Sequence, residues 1–178
     1  MTTPSLQALA NLLRERNAID EQIAKIMQRP MTAGHAGEWI AAQIFDIELE
    51  LSAAQSAYNG RFRSGPLANK TVNVKWYLKR EGLLDMHSSP SLDHYLVMTG
   101  PRAAAVSSKA GTRPWRIDSV YLFNAHDLRY EQQARGIKIG ITTSVREGQW
   151  NAAEIYPKAT NRTLIVTPEQ TVVLQLFV

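Results

Sequence analysis

A short segment near the middle of the chain, TVNVKWY at residues 71–77, carries the residue types best suited to chemistry. Its alternation of polar and apolar residues predicts a β-strand. Because residues two apart on a strand share a face, Asn73 and Lys75 point one way, while Val72, Val74 and Trp76 anchor the strand from behind. An asparagine offers a neutral carbonyl oxygen and a lysine a compact cation, so the pair could act on a phosphate group.

Two polar residues lie upstream of this segment. Glu38 falls within HAGEWIAAQIF, in a predicted helix that Thr32 caps and that continues to about Phe45. Asn59 falls within YNGRF at 58–62, which we interpret as a strand end or a turn beside basic residues. A helical acid, an amide and a polar strand thus follow one another along the chain.

In this order the residues resemble the PD-(D/E)xK nuclease superfamily. That family has a Glu on its first core helix, an Asp near the start of the next strand and (D/E)-x-K on the strand after it. Here Glu38, Asn59 and the triplet Asn73-Val74-Lys75 stand at the matching positions, and Asp93 begins the next apolar strand. The resemblance covers residues 34 to 124. The stretch GPLANKTVNVKWYLKREGLLDM is also similar to uncharacterised bacterial proteins.

The resemblance implies a restriction-endonuclease-like α/β fold, a central mixed β-sheet flanked by helices, with an extra N-terminal helix. It also implies Mg²⁺-dependent phosphodiester hydrolysis on DNA or another nucleic acid. In that scheme Lys75, Asn73 and Glu38 would be catalytic, and Glu38, Asn59 and Asn73 would hold the metal.

Asparagine at both expected acidic positions puts catalysis in question, because Mg²⁺ prefers anionic oxygens. The site could be inactive in a fold kept for binding, or the motif alignment could be wrong. A displaced carboxylate could also complete it, and the nearest candidates in sequence are Glu48, Glu50, Glu81 and Asp85. The plain alternative for Asn73-Val74-Lys75 is an edge strand with a polar face.

Positive charge is concentrated in two segments, although the net charge is only +4. Residues 51–80 and 97–116 contain no acidic residue. We predict a surface that faces nucleic acid or another polyanion, formed by Arg61, Arg63, Lys70, Lys79 and Arg80. The alternative is two solvated loops whose counter-charges lie nearby in space.

The remaining patterns predict one domain over residues 1–178: an N-terminal helix (1–30), a nuclease-like core (34–124), and a C-terminal helix and strands (125–178). Thr3-Pro4 opens the N-terminal helix. An apolar stripe, interpreted as core, follows at Leu6, Leu9, Leu12, Leu13, Ile19, Ile23, Ile26 and Met27. A seam for a partner or a second copy of the chain is the alternative. Further strands are predicted at 47–51, 95–99, 117–123, 137–141 and 172–178, and a helix at 126–135 before Gly136.

Composition narrows the class of protein. The chain has no cysteine, which excludes disulfides and thiolate zinc sites. No signal peptide or membrane span is expected, so we predict a cytoplasmic protein. Three hypotheses remain: a nuclease-fold protein that binds nucleic acid, with or without cutting it, a catalytically silent nucleic-acid-binding module, and a protein-interaction component of a phage, defence or mobile-element system.

Overall fold

The chain folds as a mixed β-sheet with helices packed on both faces, in a computed structural model that describes residues 3–50, 58–102 and 113–178. The helices are α1 (Pro4–Met27), α2 (Ala33–Phe45), α3 (Ala125–Ala134), α4 (Glu147–Ala153) and α5 (Pro168–Gln175), with a 3₁₀ turn at Gly65–Leu67. The strands are β1 (Ile47–Leu49), β2 (Gly60–Phe62), β3 (Thr71–Tyr77), β4 (Leu83–Leu84), β5 (His94–Thr99), β6 (Ser119–Asn124), β7 (Thr143–Ser144) and β8 (Glu154–Tyr156). The predicted α/β class, with its central mixed sheet and N-terminal helix, is confirmed.

The main sheet of the described residues has six strands in the order β1-β2-β3-β5-β6-β8. β3 and β5 are parallel, and the other neighbours are antiparallel. β4 and β7 form a separate two-stranded ribbon. β3 therefore lies inside the sheet, not at its edge as the plain alternative supposed.

The alternation along β3 divides its side chains between two cores. Val72, Val74 and Trp76 pack in the cluster that contains residues of α2 and α5. Tyr77 packs against the cluster on the other face, which includes Trp150 of α4. Lys75, which shares the face of Tyr77, therefore points away from α2.

α2 lies very close to β3 because its small residues permit it. Thr32 caps the helix by accepting a hydrogen bond from the His35 amide. A Cβ built on Gly37 would lie 2.7 Å from the Trp76 Cβ, so any larger residue there would push the helix away. The short separation brings Glu38, the next residue, against the strand.

α1 forms where the sequence predicts but buries little of its stripe. It begins after the Thr3 cap and ends at Met27, ahead of Pro30, as expected. Met27 is its buried residue, whereas six large apolar side chains are each between 49% and 66% exposed: Leu6, Leu9, Leu12, Leu13, Ile19 and Ile26. The interpretation of the stripe as core was therefore wrong for these six residues, whereas Ile23 and Met27 do join the core.

Two strand predictions in the last third of the chain were also wrong. Residues 137–141 form no strand, and the Ile141 side chain is exposed. The valine-rich end of the chain is largely helix α5, because Thr167 and Gln170 form a capping box around a proline at the first turn. Local capping outweighed the β-branched composition. The predicted helix before Gly136 is confirmed as α3.

None of the helices in the described parts of the chain combines the length and apolarity needed to cross a lipid bilayer.

Candidate functional site

Glu38 and Asn59 meet at the side of β3 and form a closed hydrogen-bonded unit with Arg29. Glu38 is 8% exposed. Its Oε1 accepts from Asn59 Nδ2 at 2.8 Å, and its Oε2 accepts from Arg29 Nη1 at 2.5 Å. Asn59 Oδ1 in turn accepts from the Val74 backbone N–H at 2.6 Å. We call Arg29, Glu38 and Asn59 the carboxylate brace.

The local strand pairing explains why an asparagine stands there. The β2–β3 ladder has its last pair at Gly60 and Val72, and the Asn59 N–H donates to the Val72 carbonyl at 2.9 Å. Beyond that point β2 no longer runs beside β3, so the Asn59 side chain takes the place of a strand partner for Val74. The bond to Val74 also fixes which end of the amide is oxygen, so the amino group must face Glu38.

Lys75 belongs to a second polar unit, on the face of β3 away from α2. Its Nζ lies 2.7 Å from Asp85 Oδ2, with side chains 18% and 28% exposed. The Asp85 backbone N–H donates to the Tyr77 hydroxyl at 2.9 Å. Burial raises the pKa of Tyr77 to about 12, and the nearby Asp85 charge adds to that rise. Asn73, 4% exposed, shares this face and lies opposite Tyr95 of β5.

The four residues predicted from the resemblance thus fall into two units. Glu38 and Asn59 are in contact. Lys75 is paired with Asp85, which is one of the four carboxylates named as candidates. Of the other three, Glu81 pairs with Lys79, and Glu50 lies at the limit of ion pairing with Arg61; Glu48 is exposed on β1.

The brace does not fit a magnesium ion. Both carboxylate oxygens of Glu38 and the amide oxygen of Asn59 already accept hydrogen bonds. The Arg29 guanidinium supplies the positive charge that a metal would bring, and Asn59 aims its amino group at the carboxylate. Within the described ranges, no group of three His, Asp or Glu side chains is placed to hold an ion.

Among the residues that the structure describes, most cations of the two acid-free segments have a carboxylate partner from elsewhere in the chain or from just beyond the segment. These pairs are Lys70–Asp93, Lys75–Asp85, Lys79–Glu81, Arg80–Glu147, Arg102–Glu147 and Arg116–Asp118. The alternative of counter-charges close in space therefore describes much of the charge pattern. In the folded chain these carboxylates offset much of the positive charge that the two segments carry in the sequence.

Two of the five residues predicted to bind nucleic acid are not on an open surface. The Arg80 side chain is 5% exposed, and its Nη2 lies 2.7 Å from Glu147 Oε2. Its guanidinium carbon lies 5.5 Å and 5.0 Å from the ring centroids of Tyr121 and Trp150. The Lys79 side chain is largely buried and contacts Glu81 at 2.8 Å. A phosphate could reach Arg80 only by displacing its carboxylate and aromatic partners.

The other three, Arg61, Arg63 and Lys70, are exposed near the β2–β3 connection. Among the residues that the structure describes, no carboxylate lies within ion-pair distance of Arg63. Arg61 stacks over Tyr58, with its guanidinium carbon 5.0 Å from the ring centroid, and donates to the Tyr58 hydroxyl at 2.9 Å. We call Tyr58, Arg61, Arg63 and Lys70 the cationic patch.

Sequence reasoning missed Arg29. It lies nine positions before Glu38, in the turn between two helices, and no spacing rule connects such residues. A cation directly before Pro30 would have been the only signal. Asp85 was named only as one of four candidate carboxylates. Distance along the sequence does not show which of these acids the folded chain places beside Lys75.

The comparisons with known proteins leave these contacts as the basis for function: no family model matches the sequence, and the search of curated proteins gives no significant match.

Proposed function

We propose that this chain is a nucleic-acid-binding protein of nuclease-like build that does not hydrolyse its ligand. One observation carries the silent half of the proposal: both oxygens of Glu38, the acid at the matched helical position, are occupied by Arg29 and Asn59. A carboxylate held this way is a structural group, because metal binding would require breaking two short hydrogen bonds in a buried place.

The order of the elements supports the nuclease-like build. A helix carries Glu38, Asn59 directly precedes β2, and β3 carries Asn73 and Lys75 before the parallel strand β5. The first two side chains are in contact although 21 residues separate them. Apart from β1, which lies between the helix and Asn59, this succession supports the resemblance.

The cationic patch supports the binding half. The pairs Arg61–Glu50 at 4.0 Å and Lys70–Asp93 at 3.3 Å are exposed, and such pairs contribute about 0–1 kcal/mol. A phosphate can therefore replace the carboxylates at little cost. Tyr58 with the Arg61 guanidinium offers a surface on which a base can stack.

Hydrolysis is tested with single- and double-stranded DNA and RNA in Mg²⁺ or Mn²⁺. We expect no cleavage by the wild type, by Lys75→Ala or by Glu38→Ala. Cleavage by the wild type that Lys75→Ala abolishes would overturn the silent site and place the Lys75–Asp85 pair in a catalytic role.

Binding is tested by titrating labelled oligonucleotides at several salt concentrations. Neutralising three phosphate contacts in Arg61→Gln/Arg63→Gln/Lys70→Gln should make the negative slope of log K against log salt less steep, by about 2.7 for double-stranded DNA. The matched control is Lys138→Gln/Lys158→Gln/Arg162→Gln, which removes three exposed cations elsewhere. If the patch variant binds with wild-type affinity, or if the control variant loses as much affinity, the cationic patch is not the binding surface.

The kinship itself is tested by rebuilding the acidic positions. The variant Arg29→Met/Asn59→Asp removes the competing guanidinium and sets a second carboxylate beside Glu38, on the same side of β3. We expect Mn²⁺ to raise the melting temperature of this variant and not that of the wild type. A variant that folds without responding to Mn²⁺ would remove the support for the kinship.

A further inference from the structure

α1 carries an apolar row that its own domain leaves uncovered. Leu12, Ile19 and Ile26 are spaced seven residues apart and are 61%, 56% and 66% exposed. Since seven residues make almost two helical turns, the three side chains lie on one line along the helix. The row continues as far as the last turn, where the helix also contacts the core.

A neighbouring row of the same helix makes the contacts with the domain. Met27 is buried, and Ile23 is partly buried against the core that contains residues of α2. Together the exposed and docked rows produce the series Leu9, Leu12, Arg16, Ile19, Ile23 and Ile26, with the alternating spacing of three and four that characterises helix-to-helix seams. Arg16 is the polar member of this series.

The charges on α1 indicate what covers the row. The helix carries three basic residues and three acidic residues: Arg14, Arg16, Lys25, Glu15, Asp20 and Glu21. A helix that binds a nucleic-acid backbone or an anionic membrane surface has an excess of cations, which α1 lacks. The two signs are also ordered, with net positive charge at residues 14–16 and net negative charge at 20–25. A surface with that order complements itself when one helix is reversed against another.

We propose that α1 pairs with α1 of a second copy of this chain, in the antiparallel direction. The seam then places Leu9 opposite Ile26 and Leu12 opposite Ile23. Arg16 lies opposite Ile19 and beside Asp20 of the second copy. In this chain Arg16 Nε already lies 3.5 Å from Asp20 Oδ2, so the two pairs gather around the symmetry axis as a four-charge cluster. A parallel pair would instead set Arg16 against Arg16.

This inference does not depend on the proposed function, because it uses no residue of the carboxylate brace or the cationic patch. The first four turns of α1, about 14 residues, receive little support from the domain. An isolated helical segment of that length is marginal in water. Pairing supplies that support and removes the largest exposed apolar row of the described residues from water.

The first experiment measures the mass of the full chain in solution by sedimentation velocity over a range of concentrations. The wild type should be dimeric. Leu12→Asp/Ile19→Asp should be monomeric and should retain the cooperative unfolding transition of the folded domain, with any loss of helical circular dichroism limited to the contribution of α1. The matched control, Asn11→Asp/Ala18→Asp, puts two acids on the opposite side of α1 and should remain dimeric. A wild type that stays monomeric throughout, or a control that dissociates like the test variant, overturns the proposal.

The second experiment determines the direction of the pair, and the absence of cysteine makes it simple. Spin labels are attached to Ala18→Cys, beside the symmetry axis, and in a separate protein to Gln7→Cys. In an antiparallel pair the axial separation of the two labels is near zero at position 18 and about 30 Å at position 7. Similar short separations at both positions indicate a parallel pair, and no dipolar coupling at either position indicates no pair; both results overturn the arrangement.

The third experiment tests the charge cluster by mixing. Arg16→Asp alone and Asp20→Arg alone should each weaken the homodimer, because each gathers four like charges at the axis. An equimolar mixture of the two variants should recover the dimer as a heterodimer. Failure of the mixture to recover, with both variants folded, rules out the Arg16–Asp20 contact between copies.

Discussion

The two polar units on opposite faces of β3 have similar residue types but different surroundings. In the carboxylate brace the Glu38 side chain is buried between Arg29 and Asn59, which are half-buried, and each side-chain oxygen of Glu38 and Asn59 accepts a hydrogen bond. The Lys75–Asp85 pair is partly open to water. A buried polar group costs far more to leave unpaired than a hydrated one. Residues at the positions of a catalytic pattern can therefore stabilise the fold on one face of a strand, while those on the other face remain partly accessible to water.

Glu38→Ala should show the largest effect. It leaves the Arg29 guanidinium and the Asn59 amino group without their acceptor, and breaking such a buried pair costs about 3 kcal/mol in the free energy of unfolding. Urea denaturation measures the loss. The control is Glu48→Ala, an exposed acid on β1, which should change stability by less than about 0.5 kcal/mol. Equal stabilities of the two variants would remove the structural role of the brace.

Asn59→Ala should come second, with a loss of about 2 kcal/mol. The substitution leaves the Val74 N–H and one oxygen of Glu38 unsatisfied in a place that excludes most water. Thermal or urea unfolding measures it against Asn151→Ala, an exposed asparagine on α4. If Asn59→Ala matches the control, water replaces the amide and the brace is more open than its contacts indicate.

The Lys75–Asp85 pair should contribute less. A double-mutant cycle with Lys75→Ala and Asp85→Ala should give a coupling free energy of about 1 kcal/mol that decreases in high salt, because both side chains are partly hydrated. A coupling free energy that is independent of salt and as large as the loss of stability in Glu38→Ala would contradict the difference in hydration between the two polar units.

The smallest effect should appear at alkaline pH. The unfolded chain releases the Tyr77 proton near pH 10, whereas the folded chain holds it to about 12, so stability is lost as pH rises through that range. From these values the loss attributable to Tyr77 is about 0.8 kcal/mol at pH 10.5. The readout is the difference between wild type and Tyr77→Phe in unfolding experiments at pH 8 and pH 10.5. Parallel curves for the two proteins would contradict the raised pKa.

Much of the fold could be predicted from local patterns. Helix caps, the two-residue period of strands and the three- to four-residue spacing of helices all involve residues close together in the sequence. Thr3, Thr32 and Gly136 marked helix ends correctly, and the alternation in TVNVKWY gave β3 its two faces. The same periodicity could not say whether the stripe of α1 meets its own domain or another chain, since both require identical spacing.

The site was less predictable, because its contacts join residues far apart in sequence. Glu38 and Asn59 were found together, but the partners that decide their chemistry were not foreseen. Arg29 converts the acid into a structural ion pair, and Asp85 reaches Lys75 through a turn that no motif encodes. Runs of basic residues were the weakest signal for a binding surface, because the sequence does not show which acids folding places beside them. Glu147, which pairs with Arg80 from 67 positions away, is an example.

The stacked Arg80 guanidinium has a consequence for how the chain can be divided. It is enclosed by Tyr121, Trp150 and Glu147, so the middle of the chain depends on α4 for the neutralisation of a buried cation. Leu174 of α5 is likewise fully buried in the core beneath α2. A fragment that stops near residue 124 would lack Glu147 and Trp150, so the Arg80 guanidinium would lose its carboxylate and one of its aromatic partners. It would also expose the apolar core surface that Leu174 covers. We expect such a fragment to aggregate. Dissection of activities in this protein therefore calls for point substitutions within the whole chain.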